Sequence, residues 1–272
     1  MKMCELFRFG AVIIVACSVN GCASSREAAS IKNYTPRGGE GDVAKKMFEQ
    51  RCLGAGEKIY KRIENVDGIF LLKLRPDKIN FSNQYALDDP YGRDFNGDAY
   101  ILSFLRGFYE NNYGKPDHPL PSASPHTGYR YVDAVDPKDD RRYRYVGVVE
   151  TADPLDLSYT KDYSRFVLKR SVPDSAVPQY GVSYEDISTK EERDHWIAGS
   201  SLKVIDMKTN EILAERIGYM YDPGQGASSG GRSPWMIAAS HSCPSFGTHH
   251  GSASQALQAE TFVGKVLKPS VY

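Results

Sequence analysis

The chain carries no charge excess of either sign, since 34 basic residues balance 34 acidic ones across 272 positions. Without a basic surplus there is no global electrostatic drive toward nucleic acid. Its 24 glycines and 15 prolines follow no regular period, which excludes a collagen-like chain, and no internal repeat suggests a solenoid. A hydrophobic content of 41% with 25% charged residues excludes a largely disordered chain. Long apolar runs are also missing. The longest, Gly10 to Cys17, spans roughly 8 residues, well short of the ~20 that cross a bilayer as a helix. Cysteine is scarce, with five in all, and only two tryptophans are present. Tyrosine is not scarce: 18 against 11 phenylalanines means that many large rings carry a polar tip.

The short apolar run has the form of an export leader. Lys2 and Arg8 precede it, and Val19-Asn20-Gly21-Cys22-Ala23-Ser24-Ser25 follows. This stretch resembles the lipobox of bacterial lipoproteins, in which an aliphatic, a variable and a small residue precede the cysteine that is acylated. The resemblance covers only the leader, and Ile14-Val15-Ala16-Cys17 offers a second match. Cys22 is preferred, because a cut at Cys17 leaves a very short leader and small polar residues follow Cys22. The resemblance implies cleavage before Cys22, a diacylglyceryl group on its thiol and attachment to the membrane. Two or more acyl chains hold a protein stably where one holds it marginally. Ala23, where an Asp often marks inner-membrane retention in the family, implies the outer membrane with the domain facing the periplasm.

That reading leaves Cys52 and Cys243. In an oxidising compartment their simplest fate is to pair, the alternative being two separate buried thiols. The expected organisation is a signal peptide over 1–21, a lipid-anchored tether over 22–40, and a single α+β domain over 41–272 with an irregular insertion around 77–127. Ser, Ala, Gly and charge dominate the tether.

Within the domain, Val43, Ala44, Met47, Phe48 and Cys52 recur at helical spacing from a start near Asp42. Lys58–Ile63 and Ile69–Leu74 flank Asp67-Gly68 and predict a hairpin. From 77 to 127 the pattern weakens apart from an apolar patch between Ala99 and Phe108. Two further hairpins are predicted, one joining Tyr129–Val135 to Tyr143–Val149 through Asp136–Asp140, the other joining Trp196–Ile205 to Ile212–Tyr221. Phe166–Leu168 reads as a strand. Ser233-Pro234-Trp235 has the form of a helix start, and Ala256, Ala259, Phe262, Val263, Val266 and Leu267 form the stripe of a last helix that Pro269 ends. The expected fold is α+β, a mostly antiparallel sheet built from hairpins with an N-terminal and a C-terminal helix packed on it.

Several motifs carry chemistry on paper. Gly226-Ala227-Ser228-Ser229-Gly230 fits the nucleophile-elbow pattern, but the elbow needs a strand directly before it and a helix directly after. Here Pro223-Gly224-Gln225 intervenes, and no Asp follows Ser228. The same loop with Arg232 has the makings of an anion site, although it lacks the P-loop lysine. His241, Cys243, His249 and His250 are the densest soft-ligand cluster, with spacing that fits no zinc pattern. Asp94-Phe95-Asn96-Gly97-Asp98 has part of a calcium loop and no closing Glu. Cys52 as a nucleophile conflicts with its apolar setting. Tyr143, Arg144 and Tyr145, with Arg232, are the candidate ligand-binding residues, suited to stacking on sugar or peptide.

The sequence therefore points to an envelope lipoprotein with a non-catalytic binding or structural role. It implies no cofactor, no metal and no nucleic acid, and names the membrane and an envelope protein or glycan as partners. The competing expectation is an envelope hydrolase using Ser228 or a His/Cys metal site.

Overall fold

The computed structural model describes residues 40–77, 84–85, 87–92, 96–113, 128–151, 164–223, 235, 238–246 and 255–270. The described residues fall within one compact unit spanning Tyr34–Tyr272. Helix α1 covers Glu40–Cys52, α2 Gly97–Tyr113, α3 Lys190–Asp194 and α4 Gln258–Val266. Strands β1 (Gly56–Ile59), β3 (Gly68–Leu71), β4 (Tyr131–Asp136), β5 (Arg141–Thr151), β6 (Ser164–Ser171), β7 (Tyr180–Asp186), β8 (Ile197–Asp206), β9 (Glu211–Tyr221) and β10 (Ser242–Cys243) form one sheet. Its order is β1-β9-β8-β7-β3-β4-β5-β6, with β10 beside β1 along the edge of β9. β2 (Ile63–Val66) pairs in parallel with β11 (Leu267–Pro269) in a separate two-stranded sheet. Among the described residues no helix is long and apolar enough to cross a membrane.

The two later hairpins form as expected, β4 with β5 and β8 with β9, and they share a turn chemistry. Asp136 accepts from the Lys138 amide at 2.9 Å and Asp206 from the Lys208 amide at 3.0 Å. Asp140 and Asn210 then take left-handed backbone, φ 55° and 59°, which Asp and Asn tolerate better than most residues. The first expected hairpin does not form. β1 pairs with β9 and β2 with β11, while β3 lies in parallel between β4 and β7. All four residues of β3 are buried, so its unbroken apolar run marks a central strand covered on both faces, not one arm of a hairpin. Gly68 fits there because it lies against the Tyr131 ring, where a Cβ would come within 2.2 Å.

The 77–127 segment is likewise not irregular throughout, since α2 occupies its middle and carries the chain from β3 to the parallel strand β4. α2 and α4 cover one face of the sheet. Tyr100, Ile101, Phe104 and Leu105 from α2 join Phe262, Val263 and Val266 from α4 over Val132, Ala134, Val182, Leu202 and Val204. α1 covers the opposite face at the β8–β9 end, where Ala44 is buried with Ile197, Tyr219 and Tyr221 and Met47 and Phe48 pack beside them. Val43, expected on this apolar face, is 50% exposed. A capping box fixes α3: the Thr189 hydroxyl accepts from the Glu192 amide, and the Glu192 carboxylate accepts from the Thr189 amide. Glu192, itself buried, also pairs with Arg51 of α1.

The disulfide Cys52–Cys243 joins the end of α1 to β10 across 191 residues. It closes the sheet edge where β1 and β10 lie end to end on β9.

Candidate functional site

On the face that carries α2, the far end of the sheet presents Asp136 from β4, Tyr143 and Tyr145 from β5, and Leu168 and Arg170 from β6, in register with one another. α2 begins beside them. Gly97 opens it with φ 49°, its amide donates to the Arg75 carbonyl at 3.1 Å, and the Asp77 carboxylate lies where a Cβ at Gly97 would clash. Between the helix start and the β4–β5 turn is a cleft of about 370 Å³, walled by Asp77, Asp98, Asp136, Lys138, Tyr145 and Arg170 over Leu74 and Ile101. An adjoining hollow of about 290 Å³ shares Asp98, Lys138, Tyr145 and Arg170 and extends to Leu168. Cavities of this size accept small ligands.

The charges around this cleft are partly paired. Arg170 donates to Asp136, and its guanidinium lies 4.4 Å from the Tyr143 ring centre. The Lys138 amide and Arg170 hold the Asp136 carboxyl below its ordinary value, and hydrogen bonds to Asp136 and Tyr145 raise Arg170. Burial pushes the Tyr145 phenol up, with Arg170 opposing. Lys138 Nζ is 3.7 Å from Asp77, a loose and exposed contact. Asp98, exposed in the first turn of α2, makes no ion pair among the described residues.

A buried polar layer supports this side of the sheet. Arg75 donates to Asp89 at 2.9 Å with both side chains almost fully enclosed, and the Ser200 hydroxyl donates to the same carboxylate at 3.2 Å. The Arg75 guanidinium lies 4.3 Å from the Tyr184 ring and 5.0 Å from Tyr100. Burial is the strongest influence on Arg75 and lowers it, but Asp89 with Tyr100 and Tyr184 together raise it above its ordinary value, so the guanidinium stays charged. Gly92 makes room for it, a Cβ there falling 2.0 Å from Arg75. Arg216, also buried, donates to the Gln258 carbonyl at 3.0 Å beneath α4.

The structure does not assemble the residues expected to bind ligand as one group. Tyr143 and Tyr145 share the α2 face, while Arg144 points to the opposite face because strand residues alternate. There Arg144 makes a two-pronged pair with Asp133, at 2.7 and 2.9 Å, and stacks 3.8 Å from the Tyr131 ring. The Tyr143 hydroxyl donates to Asp139 at 2.6 Å. Only Tyr145 lines the cleft. Arg232, Ser228, His249, His250, Asp94 and Cys22 lie outside the described residues. The disulfide removes Cys243 from any ligand set and Cys52 from nucleophilic chemistry. His241 Nδ1 is 2.9 Å from the Ser240 hydroxyl.

Sequence reasoning missed Asp77, Lys138 and Arg170 and met Asp98 only as the end of an incomplete calcium loop. They come from four separate segments, and no motif joins them. The one available signal was the alternation Asp136, Tyr143, Tyr145 about a turn, which marks a common face without revealing that β6 and the start of α2 meet it.

A second hollow, about 510 Å³, lies against Lys73, Tyr85, Asp88, Asp186, Lys190 and Arg193. Its charges are engaged, Lys73 with Asp88 at 2.8 Å, Arg193 with Asp186 at 3.1 Å and Lys190 with Asp194 at 2.7 Å. The first cleft, with its uncommitted Asp98 and loosely held Lys138, is the better candidate.

No family model matches the chain, and no curated protein or solved structure is significantly similar to it.

Proposed function

We propose that this chain is an exported bacterial envelope lipoprotein, anchored through acylated Cys22, whose disulfide-closed α+β domain has a binding role in the periplasm and performs no catalysis. The observation that carries the reading is the Cys52–Cys243 disulfide. Such bonds form and persist in oxidising compartments and are rare where glutathione and thioredoxin keep thiols reduced. Together with the Val19-Asn20-Gly21-Cys22 leader, it supports an exported protein with one thiol given to lipid and two to each other. The cleft at the start of α2 supports the binding role.

The test is the intact mass of the protein recovered from its own membranes, with fractionation of wild type and Cys22→Ala. The expected result is a chain beginning at Cys22, carrying acyl groups and with no free thiol at Cys52 or Cys243, and a variant that leaves the membrane fraction. An unacylated Cys22, or a Cys22→Ala protein that remains membrane-bound, overturns the reading.

A further inference from the structure

We infer that the cleft between the start of α2 and the β4–β5 turn binds the zwitterionic end of an amino acid or short peptide, its ammonium facing Asp98 and Asp77 and its carboxylate facing Lys138 and Arg170. This rests on the binding role proposed above. The floor is apolar, formed by Leu74, Ile101 and the Tyr145 ring, while the rim carries both signs of charge. The arrangement therefore complements a small molecule that has an aliphatic body and two opposite charges.

What decides the class is which groups remain uncommitted. Asp136 is satisfied by Arg170 and the Lys138 amide, so it contributes little further attraction. Asp98 has no ion pair among the described residues, and Asp77 has only the 3.7 Å contact with Lys138. With Asp136 set against Arg170 and Asp77 against Lys138, the Asp98 carboxylate is left over, and it exceeds the roughly +0.5 charge that the N-terminus of α2 presents. That leaves a net attraction for a cation. On the other wall, Lys138 Nζ has two or more donors free, and Arg170 keeps part of its five-donor fork beyond the bonds to Asp136 and Tyr145. Among the described residues the carboxylates do not converge as a metal site requires. A neutral sugar is the poorer fit, since it has no charge to set against the carboxylates and cations of the rim.

The experiment is an amide-resolved NMR titration of the full mature chain in detergent micelles with L-alanyl-L-alanine, its N-acetylated and C-amidated form, and N-acetylglucosamine. The expected result is saturable shifts at Asp98, Lys138 and Tyr145 with the free dipeptide at millimolar concentrations or below. The doubly capped form is expected to bind at least tenfold more weakly, as loss of one charge-assisted contact of roughly 1.4 kcal/mol implies. Asp98→Asn and Lys138→Gln, both on exposed side chains, are each expected to weaken the dipeptide about tenfold while leaving the melting temperature unchanged. Equal affinity for free and capped dipeptide overturns the inference, as do shifts with the sugar alone, no shifts with any ligand, or affinity unaffected by both substitutions. Anchoring is read by fractionation and not by this titration, so failure of one leaves the other measurable.

Discussion

The two ends of the sheet are held by different forces. At the β8–β9 end both faces are covered, by α4 and the Pro90–Gly92 turn on one side and by α1 on the other, and a disulfide ties α1 to β10. At the β5–β6 end one face carries paired charges, Asp133 with Arg144, and the other carries the cleft with Asp136 and Arg170. At the first end the Arg75–Asp89 pair is enclosed and out of reach of solvent, whereas at the second the charges that border the cleft lie near solvent and stay exchangeable.

Substitutions sharpen or break this contrast. The largest effect is expected from Asp89→Ala, which leaves the Arg75 guanidinium buried without its partner; a loss of about 3–5 kcal/mol is expected in denaturant unfolding. An unaltered midpoint would show that the buried pair is not what seats the Pro90–Gly92 turn on β8. Next is Cys52→Ser. The chain-entropy estimate for a ring closed across 191 residues is about 5 kcal/mol, and measured values usually fall near 2–4. Amide exchange should rise in α1 and β10 more than in β5 and β6, and uniform acceleration along the sheet would erase the distinction between its ends.

A smaller effect is expected at the charged end. Asp133→Ala removes a two-pronged charge-assisted bond from a fully buried carboxylate, but Arg144 is 20% exposed and water compensates in part. About 1.5–3 kcal/mol is expected, and thermal unfolding of the variant measures it. The smallest effect is pH-dependent. Asp136 has a folded value below its unfolded value of 3.8, so its contribution is present above that pH and lost as pH falls through the folded value. Asp136→Asn should therefore lower stability slightly at neutrality, where the carboxylate contributes, match wild type in acid, and so flatten acid unfolding below about pH 4; a variant as acid-sensitive as wild type would assign that sensitivity elsewhere.

How much was legible follows from range. The two hairpins were readable because each is local: Asp136-Pro137-Lys138-Asp139-Asp140 and Asp206-Met207-Lys208-Thr209-Asn210 place an Asp, a Lys and a left-handed Asp or Asn at matching turn positions between alternating strands. α4 was readable from its stripe and Pro269. β3 was misread because Asp67-Gly68 is a genuine turn signal whose local preference lost to burial in the centre of the sheet. β7 went unread, since Tyr180–Asp186 mixes Gly, Ser and Glu with its apolar residues and alternates only weakly. α2 was underread because Gly, Asn and Pro surround its apolar core.

By itself the sequence determined the α+β class and the two later hairpins, because these depend on periodicity and turn chemistry. The tertiary structure alone decided that β3 runs parallel between β4 and β7 and that Asp77, Asp98, Lys138 and Arg170 share one cleft. Those outcomes depend on which faces are buried against which, and burial is settled between segments far apart in the chain.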